Sequence, residues 1–349
     1  MEKRIVNITS ENFGKLQDSS QVERYWLNGD KLHVAILSYG ATLQKIEFEG
    51  KDLILGYDTI NGYLNGRSYQ GASIGRYANR IAAGKFNLNG KEYDLGCNEN
   101  GAGHLHGGFV GFDKKLWKGE IVTESEEPTI RFSQVSADGE EGYPGTFQES
   151  VTYTVTKDDT LRMAYEAVSD KDTVINLTNH AYFNLNGWDG GDVLDVELQV
   201  FADEITQINE KFIPTGKLLS VDNTPFDFRK PKAIGRDIEN EDVQLKLGLG
   251  YDHNFVLGMS RAWRHAVSAY SPKSGIRMDC HTDLPGVQVY TSNMLGEKGG
   301  KGNKALYKHQ GFCLETQLFP DTPNHSNFPS AILKAGKRWK SVTEYHFSK

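Results

Sequence analysis

Val151-Thr152-Tyr153-Thr154-Val155-Thr156, a short Lys157-Asp158-Asp159 link, then Leu161, Met163, Tyr165 and Ala167 at every second position: this stretch decides the fold class. The first run alternates and is rich in β-branched and aromatic residues. The polar link has turn chemistry, and the second run resumes the alternation, which together predict a β-hairpin. Outward from it, period-two runs at 32–37, 193–201, 265–270, 275–280 and 286–291 predict further strands. Short helices are expected only near 61–64 and 239–247. Strands with turns between them along the whole length predict an all-β chain, a large antiparallel sandwich or barrel. Helical stretches do not alternate with the strands, so a parallel α/β sheet is disfavoured. At 349 residues the chain exceeds the roughly 150 residues of a common domain, but large all-β units break that rule, and 1–349 is read as one domain.

Composition narrows the function. Lys and Arg total 39 against 46 Asp and Glu, a net charge of −7, which argues against nucleic acid as a partner because phosphate binding needs surplus cations. No run approaches the roughly 20 apolar residues of a membrane span, and the polar start MEKRIVNITSENFG lacks the apolar core of a secretory signal. Cys97, Cys280 and Cys313 are odd in number and far apart, which predicts free thiols and a cytoplasmic setting. The segment from Gly296 to Lys304 has no apolar residue and is expected to be an exposed, mobile loop; it lacks the spacing of a phosphate loop. HExxH, GxSxG and GxGxxG patterns are absent. His104-x-His106 could share a strand face beside Cys97, but no further close ligand set supports a metal there.

Five segments set polar groups inside strand-like sequence: Gly75-Arg76-Tyr77-Ala78-Asn79-Arg80-Ile81; Leu105-His106-Gly107-Gly108 with Gly111-Phe112-Asp113; Asn176-Leu177-Thr178-Asn179-His180-Ala181-Tyr182-Phe183-Asn184-Leu185; Tyr251-Asp252-His253-Asn254-Phe255; and Gly311-Phe312-Cys313-Leu314-Glu315-Thr316-Gln317 running into Phe319-Pro320-Asp321. Gly286-Val287-Gln288-Val289-Tyr290-Thr291 is a sixth, weaker one. Singly, each has a plain structural reading: Arg76 and Arg80 as surface ion-pair partners, Asp252 and Asn254 as an Asx-turn, Glu315 on a solvated strand face.

Taken together, in this order, these motifs resemble the aldose 1-epimerase (galactose mutarotase) family, and the resemblance runs on through Asn324 and Phe328-Pro329-Ser330. It implies an antiparallel supersandwich with an open site on one sheet. It also implies interconversion of the α and β anomers of free aldohexoses such as galactose and glucose, with no cofactor and no metal. On the matching positions, it implies Glu315 as the base at the C1 hydroxyl, His180 as the acid at the ring oxygen, and His106 as a second histidine that shares the acid role or orients the sugar. Asn79, Arg80, Asp252 and Gln288 are implied as substrate contacts, with Arg76 structural. The glycines after His106 would admit ligand close to the backbone.

The chemistry suits these residue types. Opening a hemiacetal needs a proton taken from the C1 hydroxyl and one given to the ring oxygen; an imidazolium of ordinary pKa about 6.5 is a usable acid near neutrality, and burial would raise a carboxylate into a useful base. A bell-shaped pH profile is expected. Tyr182, Phe183, Trp188 and Tyr290 are all candidates for an aromatic platform under the sugar. Rival readings are a silent sugar-binding relative, a hexose-6-phosphate 1-epimerase, and a glycoside hydrolase using Asp252 with Glu315. Monomer and homodimer are both compatible with the sequence.

Overall fold

A computed structural model describes residues 7–99, 101–122 and 127–349; the first six residues of the polar N-terminal stretch lie outside it. Its centre is the hairpin that the alternation predicted, Phe147–Val155 with Thr160–Ser169, in a register that sets Val151 against Tyr165 and Tyr153 against Met163. Phe147, Val151, Tyr153, Leu161, Met163 and Tyr165 are buried, whereas Gln148 is exposed and Ser150 and Thr152 are half-exposed. Each large apolar side chain so buried contributes roughly 1.5–3 kcal/mol; a one-residue slip would turn the whole row to solvent.

The hairpin lies inside a nine-stranded sheet that runs from Lys118–Val122 at one edge to Lys232–Ala233 at the other. The C-terminal strand Arg338–Ser348 pairs with Thr160–Ser169 and with Arg277–Thr282. A five-stranded sheet is built from the N-terminal strands between Asn7 and Asp52. A second five-stranded sheet has the order Pro214–Ser220, Glu204–Ile208, Asp252–Val256, Gly286–Tyr290, Cys313–Gln317. The pairings between strands are antiparallel, and the main core joins all three sheets: Val34 and Ile46 from the first, Phe132 and Met278 from the nine-stranded sheet, Phe255, Val287 and Leu314 from the last. The all-β sandwich reading therefore holds, with two short α-helices among the described residues, Ile60–Asn65 and Val243–Leu247.

Three local expectations are corrected. The helix expected at 239–247 starts only at Val243, because Asp242 caps it: the Asp242 carboxylate accepts from the Gln244 and Leu245 amides at 2.8 and 3.1 Å. The strand expected at 193–201 is confined to Glu197–Val200; Val193 and Val196 are fully buried but close a turn, with the Val196 amide donating to the Val193 carbonyl. The segment from Gly296 to Lys304 is not a solvated loop throughout. Gly296–Glu297 pairs with Leu306–Tyr307, Tyr57 Oη donates to the Glu297 carboxylate, and Lys301 is buried, its Nζ 2.6 Å from Asp52 Oδ2 and 2.8 Å from the Ile54 carbonyl. A lysine carries its own apolar stem, so the absence of an apolar residue did not mean an absence of burial.

The hairpin also reaches the site. Tyr165 Oη donates to the Thr178 carbonyl at 3.1 Å, and Ser73 Oγ lies within hydrogen-bonding distance of both Tyr153 Oη and Tyr165 Oη. Ser73–Ile74 pairs with Thr178–Asn179, which fixes the chain immediately before His180.

Candidate active site

Three adjacent strands supply most of a polar cluster. Register sets Asn254 beside Gln288 and Gln288 beside Glu315, with Asp252, Tyr290 and Cys313 in the next row. Alternation sends Phe255, Val287, Val289 and Leu314 to the core and leaves Asp252, Gln288, Tyr290, Cys313, Glu315 and Gln317 together on the other face. Asp252 is thus in a strand and not an Asx-turn, and Glu315, 2% exposed, is on a buried face. Gln288 Nε2 donates to Asp252 Oδ1 at 2.7 Å, and Gln317 Nε2 to Gln288 Oε1 at 3.1 Å. Two loops close over this face. One leaves the strand Thr178–Asn179 and begins with His180, whose amide donates to the Ala72 carbonyl. The other carries His106, held in the left-handed region at φ 50°.

His180 Nε2 lies 3.7 Å from Glu315 Oε1. Glu315 Oε2 has no hydrogen-bond partner. On the other side of the ring, His180 Nδ1 is 3.6 Å from Cys313 Sγ. Two tyrosines stack near-parallel to the imidazole: Tyr182 at 5.0 Å and 22°, Tyr69 at 5.8 Å and 23°. Tyr290 meets it edge-on. Of the aromatic candidates, Tyr182 and Tyr290 are therefore at the cluster. Phe183 is in the core, and Trp188, with Lys304 over its ring, packs against the apolar group that contains Tyr182 and Tyr290. Tyr69 escaped the sequence reading; it carries no motif signal and reaches the site from a loop. It also forms one wall of a separate cavity of about 320 Å³ that neither His180 nor Glu315 lines.

His106 Nδ1 accepts the Asn79 amide at 3.2 Å. An accepting Nδ1 carries no proton, so a neutral His106 presents Nε2–H. The glycines after it are also required by packing: a Cβ on Gly107 would meet the Gly75 carbonyl oxygen at 1.8 Å and one on Gly108 the Glu141 carboxylate at 2.1 Å. His104 turns away from His106, to the Gly96 carbonyl and Tyr143 Oη, both at 2.7 Å. Arg80 is no surface residue. It is buried and forked onto Glu99, Nε to Oε2 at 2.8 Å and an Nη to Oε1 at 2.6 Å, with Phe212 5.1 Å from the guanidinium. Asn79 Oδ1 accepts the Arg80 amide. Glu99 and Phe212 lie outside every motif, so sequence did not single them out. Arg76 is buried and donates to the carbonyls of Pro144 and Gly145 and to Ser136 Oγ, a structural role.

Burial moves the two facing groups in opposite directions. It pushes Glu315 well above the usual carboxylate range, helped by Asp252 and opposed by Arg80. It pulls His180 down to about 4. His106 is held well below its ordinary value by burial, then by His180 and Arg80. The ordinary imidazole value expected from sequence takes no account of this burial, which disfavours the charged ring. The two shifts oppose each other: burial favours the proton on Glu315 and disfavours it on His180. The carboxylate–imidazolium form has the same proton count as the carboxylic acid–imidazole form and differs only in which partner carries it. His106, His180 and Glu315 also place one ligand atom each within 4.8 Å of one another, the one such trio among the described residues.

Fold and cluster together define a β-sandwich protein with a buried acid–base centre on one sheet. Residues 24–346 match the family model described as Aldose 1-epimerase. The chain is 41% identical to galactose mutarotase of Bos taurus over 99% of each chain. It is 39% identical to aldose 1-epimerase of Haemophilus influenzae, over 92% of this chain and 94% of the relative. The solved galactose 1-epimerase of Lactobacillus acidophilus superposes with a TM-score of 0.88 at 28% identity, covering 98% and 99% of the two chains. The chain belongs to the aldose 1-epimerase family.

Proposed function

We propose that the protein is an aldose 1-epimerase that interconverts the α and β anomers of free aldohexoses, with Glu315 and His180 as its proton-transferring pair. One observation carries the assignment of roles: a buried carboxylate with one unpartnered oxygen faces an imidazole Nε2 3.7 Å away. An unsatisfied buried carboxylate oxygen costs about 1–3 kcal/mol or more, and a sugar hydroxyl donating to it removes that cost.

In the reaction, Glu315 removes the C1 hydroxyl proton, and the O–H electron pair becomes the C1 carbonyl. The bond from C1 to the ring oxygen breaks, and that oxygen takes the Nε2 proton of His180. The open aldehyde turns about C1–C2. Closure on the other face runs the transfers backwards, so neither proton count nor charge changes over the cycle. Each positioned transfer is worth ~10²–10⁴-fold. His106, with its Nδ1 occupied by a backbone amide, donates from Nε2 and orients the sugar. Arg80, Asn79, Asp252 and Gln288 hold hydroxyls, the charged ones more strongly. Glu99 fixes the Arg80 fork, and Tyr182, Tyr290 and Tyr69 supply aromatic surface.

We further infer a cytoplasmic protein acting as monomer or homodimer, without nucleic acid or membrane partners. Three free cysteines support the reducing compartment, and no helix among the described residues is long and apolar enough to cross a membrane. The test is polarimetry of freshly dissolved α-galactose and α-glucose. Accelerated approach to anomeric equilibrium is expected. Acceleration confined to hexose 6-phosphates would favour the phosphosugar relative, and binding without acceleration the silent one.

A further inference from the structure

We infer that Cys313 is a positioning residue for the epimerisation: its thiol holds Nδ1 of His180, so that Nε2 is the atom presented to Glu315 and the substrate. The inference rests on the acid–base reading above and adds to it the element that fixes the acid's orientation.

The two near-parallel tyrosines, Tyr69 and Tyr182, fix the plane of the His180 ring but leave its in-plane orientation open. A half-turn about the Cβ–Cγ bond would keep the stacking and exchange nitrogen for carbon at both edges. The side chains facing His180 are Glu315, Cys313, His106, Tyr69, Tyr182 and Tyr290. Cys313 is the one that contacts Nδ1, at 3.6 Å, within the range of a sulfur hydrogen bond. Cys313 and Glu315 are two residues apart on one strand. The same alternation that turns the carboxylate to Nε2 therefore turns the thiol to Nδ1.

A thiol suits this position chemically. It is a weak donor through S–H and a weak acceptor through sulfur. It can donate to a bare Nδ1 when the ring is neutral and accept from Nδ1–H when the ring is charged. A carboxylate there could only accept and would hold the imidazolium throughout the cycle. An alanine would remove this side-chain partner in both states, leaving the ring only the contact with its own backbone. Burial raises the Cys313 thiol well above its ordinary range, so it stays protonated.

The plain alternative is packing, since Cys313 also belongs to the apolar cluster of Leu55, Tyr182, Tyr290 and Leu295. The test compares Cys313→Ala, Cys313→Val and Cys313→Ser by polarimetry, with ¹⁵N spectra of His180 in each. Valine fills the space without a polar hydrogen; serine keeps a donor and an acceptor. The expected result is kcat lowered about five- to tenfold in the alanine and valine variants, the size of one lost hydrogen bond, with KM within about twofold. Serine should restore kcat to within about threefold of wild type, and the Nδ1 resonance should shift in alanine and valine but return in serine. Wild-type kcat in the alanine or valine variant, or equal loss in all three with unmoved His180 resonances, would overturn the inference. A wild-type protein that fails to accelerate mutarotation would sink the epimerase reading instead; the ¹⁵N spectra would still decide whether the thiol sets the ring's orientation.

Discussion

Among the described residues two acid–base pairs have both side chains under a tenth exposed, and they are built to opposite ends. Asp52 and Lys301 have side chains 7% and 3% exposed, and Glu315 and His180 are 3% and 5% exposed. In the first pair the charges meet at 2.6 Å. Lys301 Nζ also donates to the Ile54 carbonyl, and Asp52 Oδ1 accepts from the Ile46 and Ile54 amides, both at 3.4 Å. In the second pair the atoms are 3.7 Å apart and Glu315 Oε2 has no partner. Equal burial therefore has opposite meanings. The saturated pair ties the 296–304 segment to the last strand of the N-terminal sheet, and the unsaturated pair leaves hydrogen-bonding capacity unused, which on the proposed function is taken up by the sugar.

The strongest way to break this contrast is at the open pair. Glu315→Gln and His180→Asn should each lower kcat at least about 10²-fold in polarimetric assays while the protein stays folded. Near-wild-type turnover in either variant would refute the roles. At the saturated pair the sign reverses: Lys301→Met strands the Asp52 carboxylate and should cost about 3–5 kcal/mol in denaturant unfolding, with kcat per folded molecule unchanged. Adding Asp52→Asn should recover much of that loss. If Lys301→Met left stability intact, the pair would not be the tie described. Between these extremes, Asp252→Ala removes a charged grip on hydroxyls and the acceptor for Gln288. It should raise KM about tenfold or more and lower kcat less than the Glu315 change does.

The pH dependence sharpens the contrast further. Glu315 binds its proton more tightly in the folded than in the unfolded chain, so its ionisation weakens the fold. Stability attributable to Glu315 is fully present below the unfolded value of about 4.3 and is lost as pH rises through the raised folded value. Urea midpoints of wild type minus Glu315→Gln should thus fall with rising pH above that point; a difference that rises would contradict the buried, raised carboxylate. Catalytically, the singly protonated pair exists between the lowered His180 value and the raised Glu315 value. Activity should fail on the acid side near the former and on the alkaline side near the latter. The smallest effect concerns the ligand trio: dialysis against a chelator should leave turnover unchanged. A loss restored by a divalent cation would reassign His106, His180 and Glu315 to a metal.

What the sequence showed and what it hid follow from range. Alternation at 151–167 is a local property, and it located the hairpin that the structure contains. The motif residues were legible because unusual polar types sit in strand-like surroundings. Tyr69, Glu99 and Phe212 were not, since each approaches the cluster from a loop and has no period or motif of its own. Lys301 misled the reading because a charged side chain in a glycine-rich run looks solvated until its partner, 249 positions away, is known. The protonation state of His180 was hidden for the same reason: its pKa is set by how many neighbours exclude water, and the chain does not spell that out.

The most direct test is the optical rotation of freshly dissolved α-galactose followed with wild-type protein and with Glu315→Gln under one buffer and temperature. The account predicts a rate that rises in proportion to wild-type concentration and a rate with Glu315→Gln at least about 10²-fold smaller per molecule. Equal acceleration by both proteins, or none by the wild type, would contradict it.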